Sequence, residues 1–269
     1  MKLRPLPLLT ATLALAASGF AAEETSASLA TGLDFSTGKY GGSTTSTSWS
    51  APLDVTWREG DFNLGVSTSW LRVSGAGASI PGIGPIAALR ADRGLFPRLA
   101  GRFPVPTANT TASGFGDVAL HGGWSHALGE NAPTLGLGAA LKLGTADAAK
   151  GLGSGENDWS ADVSLSGGGA VRWHVSLGYL LLGDPEGVEL DNGLRGSLSF
   201  SWATERAGDW ELGWDGAQST NAGTPAASAL RVGWSRAAGE KISVSLYASK
   251  GLSDASPDFG AGLSIGVTF

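Results

Sequence analysis

Few residues of this 269-residue chain have the type and spacing that chemistry requires, and each has a plainer reading beside it. Gly262-Leu263-Ser264-Ile265-Gly266 fits the spacing of a nucleophile elbow. That elbow needs a sharp strand-to-helix turn to expose its serine. Here the flanking residues alternate without a helix signal, so Ser264 reads as one rung of a strand. The histidines are His121, His126 and His174. A general base must lie within reach of the hydroxyl it deprotonates. His174 shares a face with Ser176, which reads as a hydrogen-bonded histidine on a wet face. His126 falls on the opposite face near a tight turn, with no partner in the pattern. A lipid hydrolase would need its serine and histidine together on the lipid side. No two histidines share ligand spacing on one face and cysteine is absent, so neither a metal site nor a cofactor is expected. Asp184, Glu186, Glu189 and Asp191 could offer oxygens to Ca²⁺, but a solvated loop is the simpler reading.

The elements that would carry these residues are strands. From Phe259 to Phe269, Phe259, Ala261, Leu263, Ile265, Val267 and Phe269 share one parity, and small or polar residues take the other. Successive strand side chains point to opposite faces, so this segment has one oily face and one polar face. Eleven earlier segments repeat the pattern, including Leu29–Phe35, Trp49–Trp57, Phe62–Trp70, Leu135–Leu143, Trp159–Leu165, Val171–Leu181 and Ile242–Ala248. Pro52 removes a ladder donor in the second of them. Twelve strands are expected, with ten or fourteen as alternatives.

The N-terminus points to export. Lys2 and Arg4 precede an apolar run from Leu6 to Ala17, followed by Gly19 and Ala21 at the spacing of a cleavage site. The expectation is a signal peptide over residues 1–21 and a barrel over 22–269. The run is short of the roughly 20 residues a membrane helix needs, and no comparable run follows it. With 42 Gly, no Cys and 16% charged residues, the chain is no disulfide scaffold. Its mean hydropathy of +0.06 suits a barrel that faces lipid on one side and water on the other. A formal charge of -6 offers nothing to nucleic acid.

A β-sandwich would also alternate. Tryptophan separates the two. Phasing each strand by its aliphatic residues places Trp49, Trp57, Trp70, Trp124, Trp159, Trp173, Trp202, Trp210, Trp214 and Trp234 on the apolar face, mostly near strand ends. In a sandwich core every indole N–H would need a buried partner. In a transmembrane antiparallel β-barrel the same residues form two interfacial girdles. Trp49 and Trp57 are eight residues apart, roughly 26 Å along a strand and about 20 Å after tilting, close to the apolar band of such barrels. The fold expected is therefore all-β, a membrane barrel.

Four motifs carry a family resemblance: Gly114-Phe115-Gly116-Asp117-Val118, Gly151-Leu152-Gly153-Ser154-Gly155, Gly178 through Asp184, and Lys250-Gly251-Leu252-Ser253-Asp254. Together they make the stretch from Gly114 to Phe269 resemble the outer-membrane transporters of the MetA-pathway phenol-degradation family. The resemblance implies a Gram-negative outer membrane and a link to aromatic-compound uptake. It supplies no binding residues, and turn geometry is the simpler reading of the motifs themselves. It also implies that assembly machinery reads the terminal aromatic, Phe269.

Function would lie in the lumen. Asp54, Asp117, His121, Lys142, Asp162, Arg172, His174, Arg195, Glu211, Asp215 and Arg231 are expected to line it, with Asp34 and Arg58 on the same parity. Their nearly balanced signs argue against strong ion selectivity. Ser74 to Ser113 reads as one long break, too apolar for disorder. Within it Ile83, Arg90, Arg93, Phe96, Arg98, Arg102 and Phe103 would fold inward as a constriction, or would lie on the rim against lipopolysaccharide phosphates. The partners expected are outer-membrane lipids, lipopolysaccharide, the barrel-assembly machinery and an unidentified small solute. A porin-like passive channel is the reading drawn. A closed barrel acting as a structural or surface-interaction protein, and third a lipid hydrolase, remain open.

Overall fold

The computed structural model describes residues 25–40, 44–76, 79–80, 84–85, 109–185, 190–204, 208–219 and 225–269. The leader expected over residues 1–21 lies outside them. So do the constriction residues Ile83, Arg90, Arg93, Phe96, Arg98, Arg102 and Phe103.

The alternating segments become long antiparallel strands: β1 (Ser26–Gly38), β2 (Ser46–Glu59) and β3 (Phe62–Ala76). A two-rung hairpin follows, β4 (Ser79–Ile80) against β5 (Gly84–Pro85). The wall then continues through β6 (Asn109–Phe115), β7 (Val118–Ala127), β8 (Thr134–Leu143), β9 (Asp158–Gly168) and β10 (Val171–Leu181). It is completed by β11 (Gly193–Thr204), β12 (Gly208–Ala217), β13 (Ala227–Ala237), β14 (Ile242–Gly251) and β15 (Phe259–Thr268). Each strand pairs with its neighbour in order, β15 returns to β1, and β2 pairs with β3, so the sheet closes on itself. β6 and β7 both pair with β3 and act as two halves of one strand, which makes a closed barrel of twelve.

Closure pairs the wall strands on both sides, as a hydrocarbon environment requires, while β6 has β3 as its one partner among the described residues. The outer face explains why that environment is needed. Leu33, Leu53, Leu64, Leu137, Leu177, Leu198, Leu212 and Ile265 are each 39–61% exposed, in a belt all round the wall. Water would not tolerate an apolar patch that encircles a molecule; lipid does. Among the described residues no helix is long and apolar enough to cross a membrane.

The β6/β7 junction interrupts the dyad. Ser67 faces Ala119, whereas Trp70 faces Phe115, so two residues of β3 oppose three of the partner strand. Gly116 N–H still donates to Ser69 O at 2.7 Å. This is a β-bulge, which inserts one residue and re-aims its neighbours. Parity flips across it, leaving Phe115 and Leu120 both outside at 70% and 44% exposure. The bulge also corrects the expected boundary of the long break. Ser74–Ala76 and Asn109–Ser113 are paired strand, because the extra residue lets the ladder resume beyond it.

Pro52 sits inside β2, paired to Ser69 on one side. On the other side the β1–β2 register steps from Thr31–Leu53 to Asp34–Ser50 without rungs between, as the missing N–H dictates. Thr31 Oγ1 donates to Pro52 O at 2.8 Å across that gap. One barrel end carries tight turns such as Gly169-Ala170, where Gly168 takes φ 112° and any Cβ would strike Val171 O. The start of β1 and the end of β15 meet at this end too, with Phe269 N–H donating to Ala27 O at 2.8 Å. Longer connections occupy the other end.

Candidate functional site

The inner face is built from the small parity of every strand: glycine, serine, alanine and threonine, with long polar side chains laid across them. Glycine makes the laying-down possible. A Cβ at Gly262 would collide with the Tyr247 ring and the Asp34 carboxylate, which lie over it. A Cβ at Gly138 would come within 2.8 Å of both Asp162 oxygens, and one at Gly178 within 2.9 Å of Arg195 Nε. Arg231 lies across Gly213, and His121 across Gly65. These side chains therefore lie against the wall.

They are paired as they lie. Lys142 Nζ is 3.2 Å from Asp117 Oδ2 and 2.7 Å from Asp158 Oδ2. Arg172 Nη2 meets Asp209 Oδ2 at 2.7 Å, and Arg195 Nη2 meets Asp162 Oδ1 at 3.5 Å. Arg231 Nη2 stands 3.4 Å from Glu211 and 3.8 Å from Asp215. Its Nε and Nη1 are buried without a hydrogen bond. Asp54 accepts from Thr56 Oγ1 at 2.8 Å and lies 3.5 Å from His121 Nε2. Asp34 accepts from Tyr247 at 2.9 Å.

The sequence-based lining lacks Asp158 and Asp209, the first residue of β9 and the second of β12, because parity is least legible at the start of a strand. Arg58 has the inner parity but sits exposed at the last rungs of β2. The inner parity thus holds eight carboxylates and five permanent cations among the described residues, Arg58 at the rim included.

The connection from β8 to β9 folds inward, a feature with no sequence expectation. Leu152 is 2% exposed and packs on Leu71, Ala146 and Ala112. The bulge aims Asp117 at this loop, and Ala146 N–H donates to it at 2.8 Å. Lys142 donates to Ser154 Oγ at 2.8 Å. A 3₁₀ turn, Ala148–Lys150, is capped by Asp147, whose carboxyl is held below the usual range by hydrogen bonding from Lys150. Gly151 (φ 72°) and Gly155 (φ 78°) take the left-handed conformations that turn the chain back. The signal was in plain view: Leu71 and Val73 are apolar residues on the inner parity of β3, both 7% exposed. An oily inner patch needs a cover.

No elbow forms around Ser264, which lies within β15. Ser176 Oγ bonds Ser197 Oγ at 2.7 Å and not His174. His126 has a partner after all: its Nδ1 is 2.7 Å from Asp61 Oδ2, and its ring stacks on Trp124. That pair ties the β2–β3 turn to β7. Asp184 caps the β10–β11 loop by accepting from Leu190 N–H, while Glu186 and Glu189 lie outside the described residues.

The tryptophans fall in two rows by register. Trp57, Trp124, Trp173, Trp202, Trp210 and Trp234 lie toward the tight-turn end, with Trp202, Trp210 and Trp234 on adjacent strands. Trp49, Trp70, Trp159 and Trp214 lie toward the long-loop end.

The sequence profile described as "Putative MetA-pathway of phenol degradation" matches residues 65–269. No curated protein matches the chain. Among solved structures the chain is similar to the COG4313 outer membrane channel from Pseudomonas putida F1, with a TM-score of 0.64 and 15% identity over 93% of this chain and 97% of that one. That likeness is one of fold. The transport unit of the autotransporter AIDA-I from Escherichia coli follows at a TM-score of 0.49 and 11% identity, covering 96% and 94%, too loose to argue from.

Proposed function

We propose a channel function from one premise: this chain belongs to the family described as "Putative MetA-pathway of phenol degradation". It sits in the outer membrane and passes small molecules passively, with apolar or aromatic solutes as the candidates the family description suggests. The observation that carries this reading is the inner face, where long polar side chains lie flat over glycines. The similar fold of a known outer membrane channel supports it. No catalytic step is assigned. Ion conductance of the purified protein in a planar bilayer tests the function. A barrel silent to ions and solutes would be the structural or surface-interaction protein, a reading favoured by the inward β8–β9 loop.

The remaining roles belong to the same proposal. A leader over residues 1–21 delivers the chain for export, and the two tryptophan rows anchor it at the membrane interfaces, against lipid and lipopolysaccharide. Phe269, 68% exposed at the end of β15, serves as the signal for the barrel-assembly machinery. Its deletion is expected to lower the heat-modifiable, folded fraction in outer membranes. Unchanged folding would remove Phe269 from that role.

The apolar, arginine-bearing stretch from Ile80 to Val105 is assigned the part of a constriction. Deleting it is expected to raise single-channel conductance with the barrel still folded. Conductance that stays level would move this stretch to the rim.

A further inference from the structure

We infer that the barrel wall, apart from whatever the Ile80–Val105 stretch contributes, favours cations over anions, with Asp34 and Asp54 as its uncompensated charges and the Glu211–Asp215 pair adding to them around Arg231. The inference rests on the channel reading and names the solute class it favours: small cations such as protonated amines, and uncharged molecules, over carboxylates.

The pairing pattern carries it. Apart from Arg58 at the tight-turn rim, the permanent cations on the inner parity of the described residues are each engaged by a carboxylate. Two of them, Lys142 and Arg231, each face two carboxylates and so leave one negative charge over. Asp34 and Asp54 have no cation at all. Their partners are Tyr247 and Ser50 for the first, Thr56 and the His121 imidazole for the second. Hydroxyl donors solvate a carboxylate without cancelling its field. Beyond Arg58 at the rim, an entering anion finds no unengaged ammonium or guanidinium among the described wall residues, while an entering cation finds a surplus of acid.

Exposure sharpens the asymmetry at Arg231. Its side chain is 9% exposed, pressed onto Gly213, while Glu211 and Asp215 keep 24% and 16%. The acids are the part of that cluster the passage meets. Low-dielectric walls focus such a field along a cleft. Even at the dielectric of water, one unit charge met at about 4 Å discriminates by about fivefold.

Recordings of the exported chain in a planar bilayer under a KCl gradient read the permeability ratio of K⁺ to Cl⁻. The ratio is expected at about fivefold or more at low salt, fading as salt screens the wall. It should fall toward unity in the Asp34→Asn/Asp54→Asn double variant, whose folding is checked by heat-modifiable migration. Replacing K⁺ with benzylammonium should sustain current, and benzoate should replace Cl⁻ poorly. A ratio at or below unity both in the parent protein and in the chain lacking residues 80–105 overturns the inference while leaving the channel reading intact. A ratio unmoved in the folded double variant overturns the assignment to Asp34 and Asp54. Absence of any current instead sinks the channel reading, and the inference with it.

Discussion

Leu198→Arg is expected to destabilise the barrel by about 2–4 kcal/mol, and Ser199→Arg, one residue along the same strand, by far less. Leu198 is 39% exposed on the outer face, paired with Val175 on β10 and Trp214 on β12. It lies four residues from Trp202, roughly 13 Å along the strand and about 10 Å down the membrane normal after tilt. That depth is close to the bilayer midplane, where an arginine finds neither water nor a partner. Ser199 points the other way, between His174 and Gly213 across the ladder, with Glu211 and Asp215 diagonal to it. An arginine there has water and two carboxylates within reach. Val175→Arg should behave as Leu198→Arg does. A reversible folding titration in lipid vesicles measures all three. Should Ser199→Arg prove the costliest, the faces of β11 have been assigned the wrong way round.

The contrast works because the dyad alternation was legible in the sequence wherever a strand carried aliphatic residues on one parity. Val171 to Leu181 shows it over six successive outward positions, and the structure places β10 over that same span. Legibility failed where the alternation itself changes. The bulge at Gly116-Asp117 inserts one residue, so the parity read from Leu120 could not be carried back to Phe115, and paired strand looked like loop. Asp158 and Asp209, the first residue of β9 and the second of β12, failed for a related reason, since the opening rungs of a strand have little before them to set their phase. The pairing of inner charges was not legible at all. Lys142 meets Asp117 and Asp158 through the shear of three neighbouring strands, which no spacing within one segment encodes.

The inward β8–β9 loop was hidden differently, because Gly151-Leu152-Gly153-Ser154-Gly155 looks like flexible turn when read alone. Its single apolar residue is what gives it a place. Leu152 buries all but 2% of its surface against Leu71, Ala146 and Ala112, and Gly114 is the pad beneath it: a Cβ there would come within 2.8 Å of Leu152 Cδ1. Truncating a buried leucine to alanine costs about 2–5 kcal/mol. In Leu152→Ala that cost should fall on the docking of residues 144–157 and not on the ladder, since no strand pairing passes through them. The docked state would lose population by tens- to thousands-fold relative to an undocked one. Limited proteolysis of intact vesicles should then cut within the loop while the barrel remains heat-modifiable, and single-channel conductance should rise. Lys142→Met should act in the same direction by releasing Ser154 and leaving Asp117 and Asp158 to repel each other. If Leu152→Ala resists cleavage as well as the parent does, the tether from Lys142 and the Ala146–Asp117 hydrogen bond hold the loop without the leucine. Cleavage without a rise in conductance would mean that the loop covers the mouth but does not narrow the path.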